Sequence, residues 1–262
     1  MNPASLDDLP VLLAGLALCS MRVGVAVALV PMLSRKMLPV LIRGALIMAV
    51  ALPVALQTVS QPFPQTLAAW PLLVLFVREA AIGAVIGLAF GALCAALQVA
   101  GEIIDHQTGQ TFTQNIDPTH GNSVGTTALL LEKVLFGVLM SAGFLVVMAD
   151  TLYLSFELWP IGNPLPDITH LAPLKLAVET GRLFALALLL AGPVLMVLFV
   201  LDVGLGLLNR AAPQFHIFEI TLTMKSMVGL AVLAVAFPSI MERVVRAMGE
   251  LAERLAQLAR GG

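Results

Sequence analysis

Charge is what this chain has least of: only 11% of its 262 residues are Asp, Glu, Lys or Arg, against about 25% in an average soluble domain. With 59% hydrophobic residues and a mean hydropathy of +0.98, too little polar surface exists to clothe a water-soluble globule. An integral membrane protein is the class that remains. Basic residues are not in excess either, and a net charge of −2 argues against nucleic acid as a partner. Cysteine is nearly absent. Cys19 and Cys94 both lie in apolar runs, where a thiol behaves as a small hydrophobe, so neither a disulfide framework nor a metal cluster is expected. The start, MNPASLDDLP, lacks the basic region of a secretory signal, and no cleaved peptide or lipid anchor is expected.

Catalytic motifs are missing too. No G-x-S-x-G elbow, HExxH helix or Walker lysine occurs, so any work must be powered elsewhere. Asp105 and Asp117 imitate a carboxylate dyad, but in a polar stretch rather than on facing apolar helices. Glu102, His106 and His120 lie in the same stretch at spacings that match no metal site. The expectation is a non-enzyme with no metal and no cofactor.

What is present in quantity is long apolar sequence. Runs at 11–30, 37–57, 70–100, 124–149, 183–208 and 217–241 predict an all-α membrane protein with about six helical regions. Strands are excluded because the runs are too long and do not alternate. Pro193 and Pro238, inside or near the end of such runs, predict kinks, and several runs are expected to break into hairpins. The run from Trp70 onward is the longest; residues 71–100 as one helix would reach about 45 Å, more than a hydrocarbon core of about 30 Å. It carries Gly83, Gly87 and Gly91 at four-residue spacing. Each interior glycine costs about 1 kcal/mol against alanine, and a row in register predicts close packing of another helix. A polar loop follows at 101–123, with Asp117–Pro118 as a turn signal.

Each run also carries charge: Arg22, Arg43, Arg78 with Glu79, Glu132 with Lys133, Asp202, and Lys225. A charge at the centre of a membrane helix costs about 2.5–3.5 kcal/mol on insertion scales. Sequence neighbours on a helix do not face each other, so the partners of Arg78–Glu79 and Glu132–Lys133 must come from other helices, other subunits or water. For Arg22 and Arg43, snorkelling or a satisfied structural pair is an equal alternative. Basic residues Arg35, Lys36 and Arg210 favour the cytoplasm, as do Arg243, Arg246, Arg254 and Arg260 near the end. Six plain spans cannot put both sets on one side, whereas a re-entrant hairpin can. Residues 1–241 are expected to form one helical membrane domain. Residues 242–262 are expected to form an amphipathic helix, striped by Met241, Val244, Val245, Met248, Leu251, Ala252, Leu255 and Leu258, for a membrane surface or a partner protein.

Several of these residues together resemble a known family. Arg78-Glu79-Ala80 with Ile82, Gly83 and Gly87; Gly101-Glu102 with Ile104, Asp105, Gln107 and Gly109; Asp117-Pro118; Asn209-Arg210 with Pro213-Gln214; and then Phe218 and Lys225 resemble the flagellar export protein FliR and its type III secretion counterparts, the SctT, SpaR or HrcT group. The resemblance spans essentially the whole chain. His216 and Glu219 depart from it, and flagellar and injectisome branches both stay open. The resemblance implies a core subunit of a hetero-oligomeric export gate in the bacterial inner membrane, built with FliP/SctR-type and FliQ/SctS-type subunits and wrapped by an FlhB/SctU-type switch protein. It would pass unfolded export substrates. It implies that a loop at Gly101, Glu102, Asp105, Gln107, Gly109, Phe112, Asp117 and Pro118 plugs the closed pore. From the charges, Arg78, Glu79, Glu132, Lys133, Asp202 and Lys225 are expected to pair between subunits; Asn209, Arg210, Pro213 and Gln214 are expected to shape a broken-helix corner. The competing reading is a secondary transporter or ion channel, whose embedded charges would bind substrate; it would often show inverted-repeat hydropathy, which is not visible here.

Overall fold

The computed structural model describes residues 9–34, 37–58, 69–109, 126–161, 173–211 and 217–259. Apart from a 3-10 turn at Pro31–Leu33, the described elements are α-helices: α1 (Leu9–Leu29), α2 (Val40–Thr58), α3 (Ala69–Thr108), α4 (Thr126–Ser141), α5 (Phe144–Leu158), α6 (Pro173–Ala211) and α7 (Ile217–Ala259). No strand occurs among the described residues. Helix is what an apolar solvent demands, because it satisfies every backbone N–H and C=O within one segment.

Among the described residues, five helices are long and apolar enough to cross a membrane, or six if the bent pair α4–α5 counts as one span. The chain is therefore a multi-pass membrane protein. The expected single run at 124–149 is in fact this pair, bent by 66° where Gly143 takes a positive φ of 84°. Glycine alone adopts that conformation without a Cβ penalty.

Two other boundaries differ from those the apolar runs suggest. α3 does not end at residue 100: it continues through the polar 101–108 for 40 residues, about 60 Å. Residues Gly101, Glu102, Asp105 and Gln107, expected in a loop, are helical, and the rest of that loop, with Phe112, Asp117 and Pro118, lies outside the described residues. Nor is the C-terminal stretch a separate helix. α7 runs from Ile217 to Ala259 with Pro238 inside it, and α6 likewise contains Pro193.

The chain divides into two compact units. The first holds α1, α2, α5, residues 69–92 of α3 and the end of α7. Its buried positions repeat as adjacent pairs every four residues: Leu18/Cys19, Arg22/Val23 and Ala26/Val27 on α1, and Arg78/Glu79, Ile82/Gly83 and Ile86/Gly87 on α3. Such four-residue ridges pack α1 against α3, and the glycines let the backbones touch. A Cβ at Gly83 would stand 2.2 Å from the Arg22 carbonyl oxygen, one at Gly87 2.7 Å from that of Ala26, and one at Gly91 2.5 Å from that of Leu29. Below this ridge Phe90 and Phe144 meet edge to face at 5.6 Å.

The second unit holds residues 93–142 and 173–247. Leu97 and Ile104 of α3, Leu131 and Leu135 of α4, Leu198 of α6 and Leu233 of α7 are buried in it. Large apolar side chains stay exposed on several helices, among them Leu41 at 83%, Met196 at 73% and Val235 at 83%, as faces meant for lipid or neighbouring protein do.

Candidate functional site

Two polar clusters and one helix-end junction stand out. The first cluster is centred on Arg22, which the four-residue ridge of α1 turns inward to full burial. Its Nε donates to Glu79 Oε2 at 2.6 Å. Its Nη1 donates to the carbonyl and hydroxyl oxygens of Ser155 at 2.8 and 3.1 Å, and its Nη2 to the Trp159 carbonyl at 3.0 Å. The guanidinium also lies 4.0 Å from the Phe156 ring centroid. One side chain thus ties α1, α3 and the C-terminal end of α5. That end carries orphan carbonyls and the negative pole of the helix dipole, both of which attract a cation. Arg78 reaches the same end from α3, donating through Nη2 to the Pro160 carbonyl at 3.2 Å, with its Nη1 4.0 Å from Glu79 Oε1. The planar, five-donor guanidinium suits this task in a way lysine does not.

The second cluster lies in the other unit. Asp202 of α6 forms an ion pair with Lys225 of α7 and accepts from Gln107 Nε2 of α3 at 2.9 Å. Both charged side chains keep partial exposure, 31% for Asp202 and 17% for Lys225.

The junction is at the ends of α3 and α4. Asp105, 1% exposed, accepts the Thr127 N–H at 3.1 Å and the Ala128 N–H at 2.9 Å. A Cβ on Gly101 would stand 2.6 Å from Ala128 Cα, so the two helix ends meet backbone to backbone. Thr108 closes α3 by donating to the carbonyls of Ile104 and Asp105, and Gly109 leaves the helix with φ 75°, beside Leu222. Gly229 of α7 receives the Thr108 methyl, which a Cβ there would meet at 3.0 Å.

Set against the residues singled out by sequence, the structure brings some together and separates others. Gly83, Gly87 and Gly91 line the α1–α3 contact. Glu79, Asp202 and Lys225, assigned above to pairing between subunits, meet partners of the same chain, and Arg78 bonds a carbonyl of the same chain. Glu132 is half-buried and Lys133 exposed on α4. Asn209 and Arg210 are exposed in the last turn of α6, while Pro213 and Gln214 lie outside the described residues. In the tail, Met241, Val244 and Met248 of the apolar stripe are buried, and the pairs Glu242–Arg246 and Glu250–Arg254 both form. Ser155, Trp159 and Phe156 were missed: two of them act through backbone carbonyls, which any residue type supplies.

A glycine-ridged multi-pass helical protein, with its charges fastened inside and a tied helix junction, is the class these features define. The profile of the bacterial export proteins, family 1, matches residues 13–251. The surface presentation of antigens protein SpaR of Salmonella typhimurium is 34% identical over 236 residues, 90% of this chain and 88% of that one. The flagellar biosynthetic protein FliR of Caulobacter vibrioides is 30% identical over 227 residues, covering 86% and 88%. The Yop proteins translocation protein T of Yersinia pestis is 27% identical over 221 residues, 84% of each. The chain belongs to the bacterial export proteins, family 1.

Proposed function

We propose that this chain is a non-catalytic core subunit of a type III export gate in the bacterial inner membrane. It assembles with FliP/SctR-type and FliQ/SctS-type subunits into the conduit for unfolded substrates, with an FlhB/SctU-type switch protein outside. The segment that follows Gly101 obstructs the closed conduit, and Glu132 and Lys133 on α4 meet neighbouring subunits.

One observation carries this reading. α3 is a 40-residue helix, about twice the hydrocarbon thickness, and its far end is polar. A helix of that length belongs in a protein assembly that extends beyond the bilayer, and its polar end belongs where water is present. A transporter fits less well. Its embedded charges would be held for substrate or ions, whereas Arg22 here is spent on Glu79, Ser155 and Trp159.

Deleting residues 110–114 tests the obstruction. The assembled complex should then conduct ions in the closed state, while its subunit composition stays unchanged. Wild-type conductance in the deleted complex would contradict it.

A further inference from the structure

We infer that the outward stripe of α5, where Asp150 and Glu157 lie two turns apart around Tyr153, docks a basic helix of another subunit. This rests on the assembly proposed above and adds a surface to it, with the chemistry of what covers that surface.

α5 divides cleanly into two sides. Phe144, Met148, Leu152, Ser155 and Phe156 are among the residues buried on one of them. At about 100° per residue, Val146, Asp150, Tyr153 and Glu157 fall within about 60° of one another on the opposite side. Asp150, Glu157 and Val146 are exposed, and Tyr153 is half-buried. Neither carboxylate has an ion pair or hydrogen bond among the described residues, and α5 contains no lysine or arginine. Glu79 and Asp202, by contrast, each meet a base on another helix of the chain. The α5 acids are left for something outside it.

Three surroundings compete for this stripe. Lipid is the worst, because an ionised carboxylate there loses its hydration and gains nothing in return. Water suits the acids alone. Yet the stripe also carries Val146, 63% exposed, and the chain's only tyrosine, on a helix that together with α4 is apolar enough for a bent span. An apolar position and an aromatic ring set among charges of one sign have the make-up of a protein contact. The sign then fixes the partner. Two carboxylates about 10.5 Å apart along the axis match lysines or arginines seven residues apart on a second helix. Arginine fits best, since its planar fork grips a carboxylate through two N–H groups and its face stacks on the Tyr153 ring.

The test uses the full chain produced together with its partner subunits. Tyr153 is replaced by the photo-cross-linking residue p-benzoylphenylalanine, and the cross-linked peptides are mapped by mass spectrometry. The expected product joins position 153 to a helix of another subunit that carries Lys or Arg within two turns of the cross-link. Cross-links to lipid alone, to segments without a basic residue, or to nothing would overturn the inference. Charge is read separately with Asp150→Lys/Glu157→Lys. Recovery of the complex should fall about tenfold or more, the effect of reversing desolvated charge pairs. Thermal unfolding of the extracted chain itself should not move, because these side chains hold nothing within the fold. Should the reversed variant unfold, Asp150→Asn/Glu157→Gln decides: it should lower recovery to a lesser degree, and wild-type recovery would overturn the inference. A hetero-oligomer that forms equally in wild type and in a folded reversed variant removes only the α5 surface. A wild-type chain that forms no hetero-oligomer removes the assembly reading and the docking with it.

Discussion

The Arg22–Glu79 cluster and the Asp202–Lys225 pair are made of the same chemistry in opposite surroundings. Both join an acid on one helix to a base on another and recruit a neutral hydrogen-bonding partner. The first has no solvent exposure at either charge; the second keeps 31% and 17%. Burial turns an ion pair from a modest attraction into an obligation, because a charge stripped of water must be matched by fixed groups. The cluster accordingly spends every nitrogen of Arg22 on a partner, while the exposed pair has water as a reserve. The difference separates a part that fixes the fold from a part that can rearrange at moderate cost.

The comparison can be broken most severely at the cluster. Replacing Arg22 or Glu79 singly with alanine should cost about 3–5 kcal/mol, the penalty for a buried charge left alone. Thermal unfolding of the purified complex would register it. A cost no larger than that of Lys225→Ala would erase the distinction. Replacing both by leucine should recover only part of the loss, since the carbonyls of Ser155 and Trp159 lose a donor as well.

Next in size is Gly83→Ala. Helix propensity alone would make it stabilising by about 1 kcal/mol. The Cβ would instead strike the Arg22 carbonyl, and overpacking of this kind costs about 1–3 kcal/mol. Gly137, which has nothing within 4 Å of an added Cβ, is the control, and Gly137→Ala should be neutral or slightly stabilising. Equal behaviour of the two variants would show that the glycine row carries no special contact.

Asp202→Asn should cost about 1 kcal/mol or less, in keeping with pairs that retain solvent. Because Gln107 loses a charged acceptor at the same time, the end of α3 should show faster backbone hydrogen exchange. Unchanged exchange there would mean that Asp202 does not hold α3. The smallest effect is expected at the exposed Glu250–Arg254 pair of α7, where Arg254→Ala should stay within about 0.5 kcal/mol of wild type.

Much of the architecture was legible because membrane helices announce themselves by length. The run at 11–30 became α1, Leu9–Leu29, and that at 37–57 became α2, Val40–Thr58. The glycine spacing on α3 was legible for a similar reason: three costly residues in register ask for a compensating contact. The continuation of α3 past residue 100 was not, because apolar periodicity stops there while the helix is held by Asp105, Gln107 and Gly101 acting on other helices. The break at Gly143 had a signal in Ser141-Ala142-Gly143 that the unbroken apolar run overrode. Pro238 lies inside α7, which runs on past the end of the apolar run, since a long apolar helix tolerates an interior proline. The partners of the charges were beyond reach. Glu79 lies 57 residues from Arg22 and Ser155 lies 133 from it, and half of the acceptors around Arg22 are backbone carbonyls that leave no trace in residue type.

The central claim, that these helices are built for a protein assembly rather than for lipid alone, is tested most directly by the native mass of this chain extracted in mild detergent from membranes that also contain its partner subunits. A stable hetero-oligomer of fixed composition is the predicted result. A monomer or homodimer surrounded by detergent, with the partners present but unbound, would contradict it.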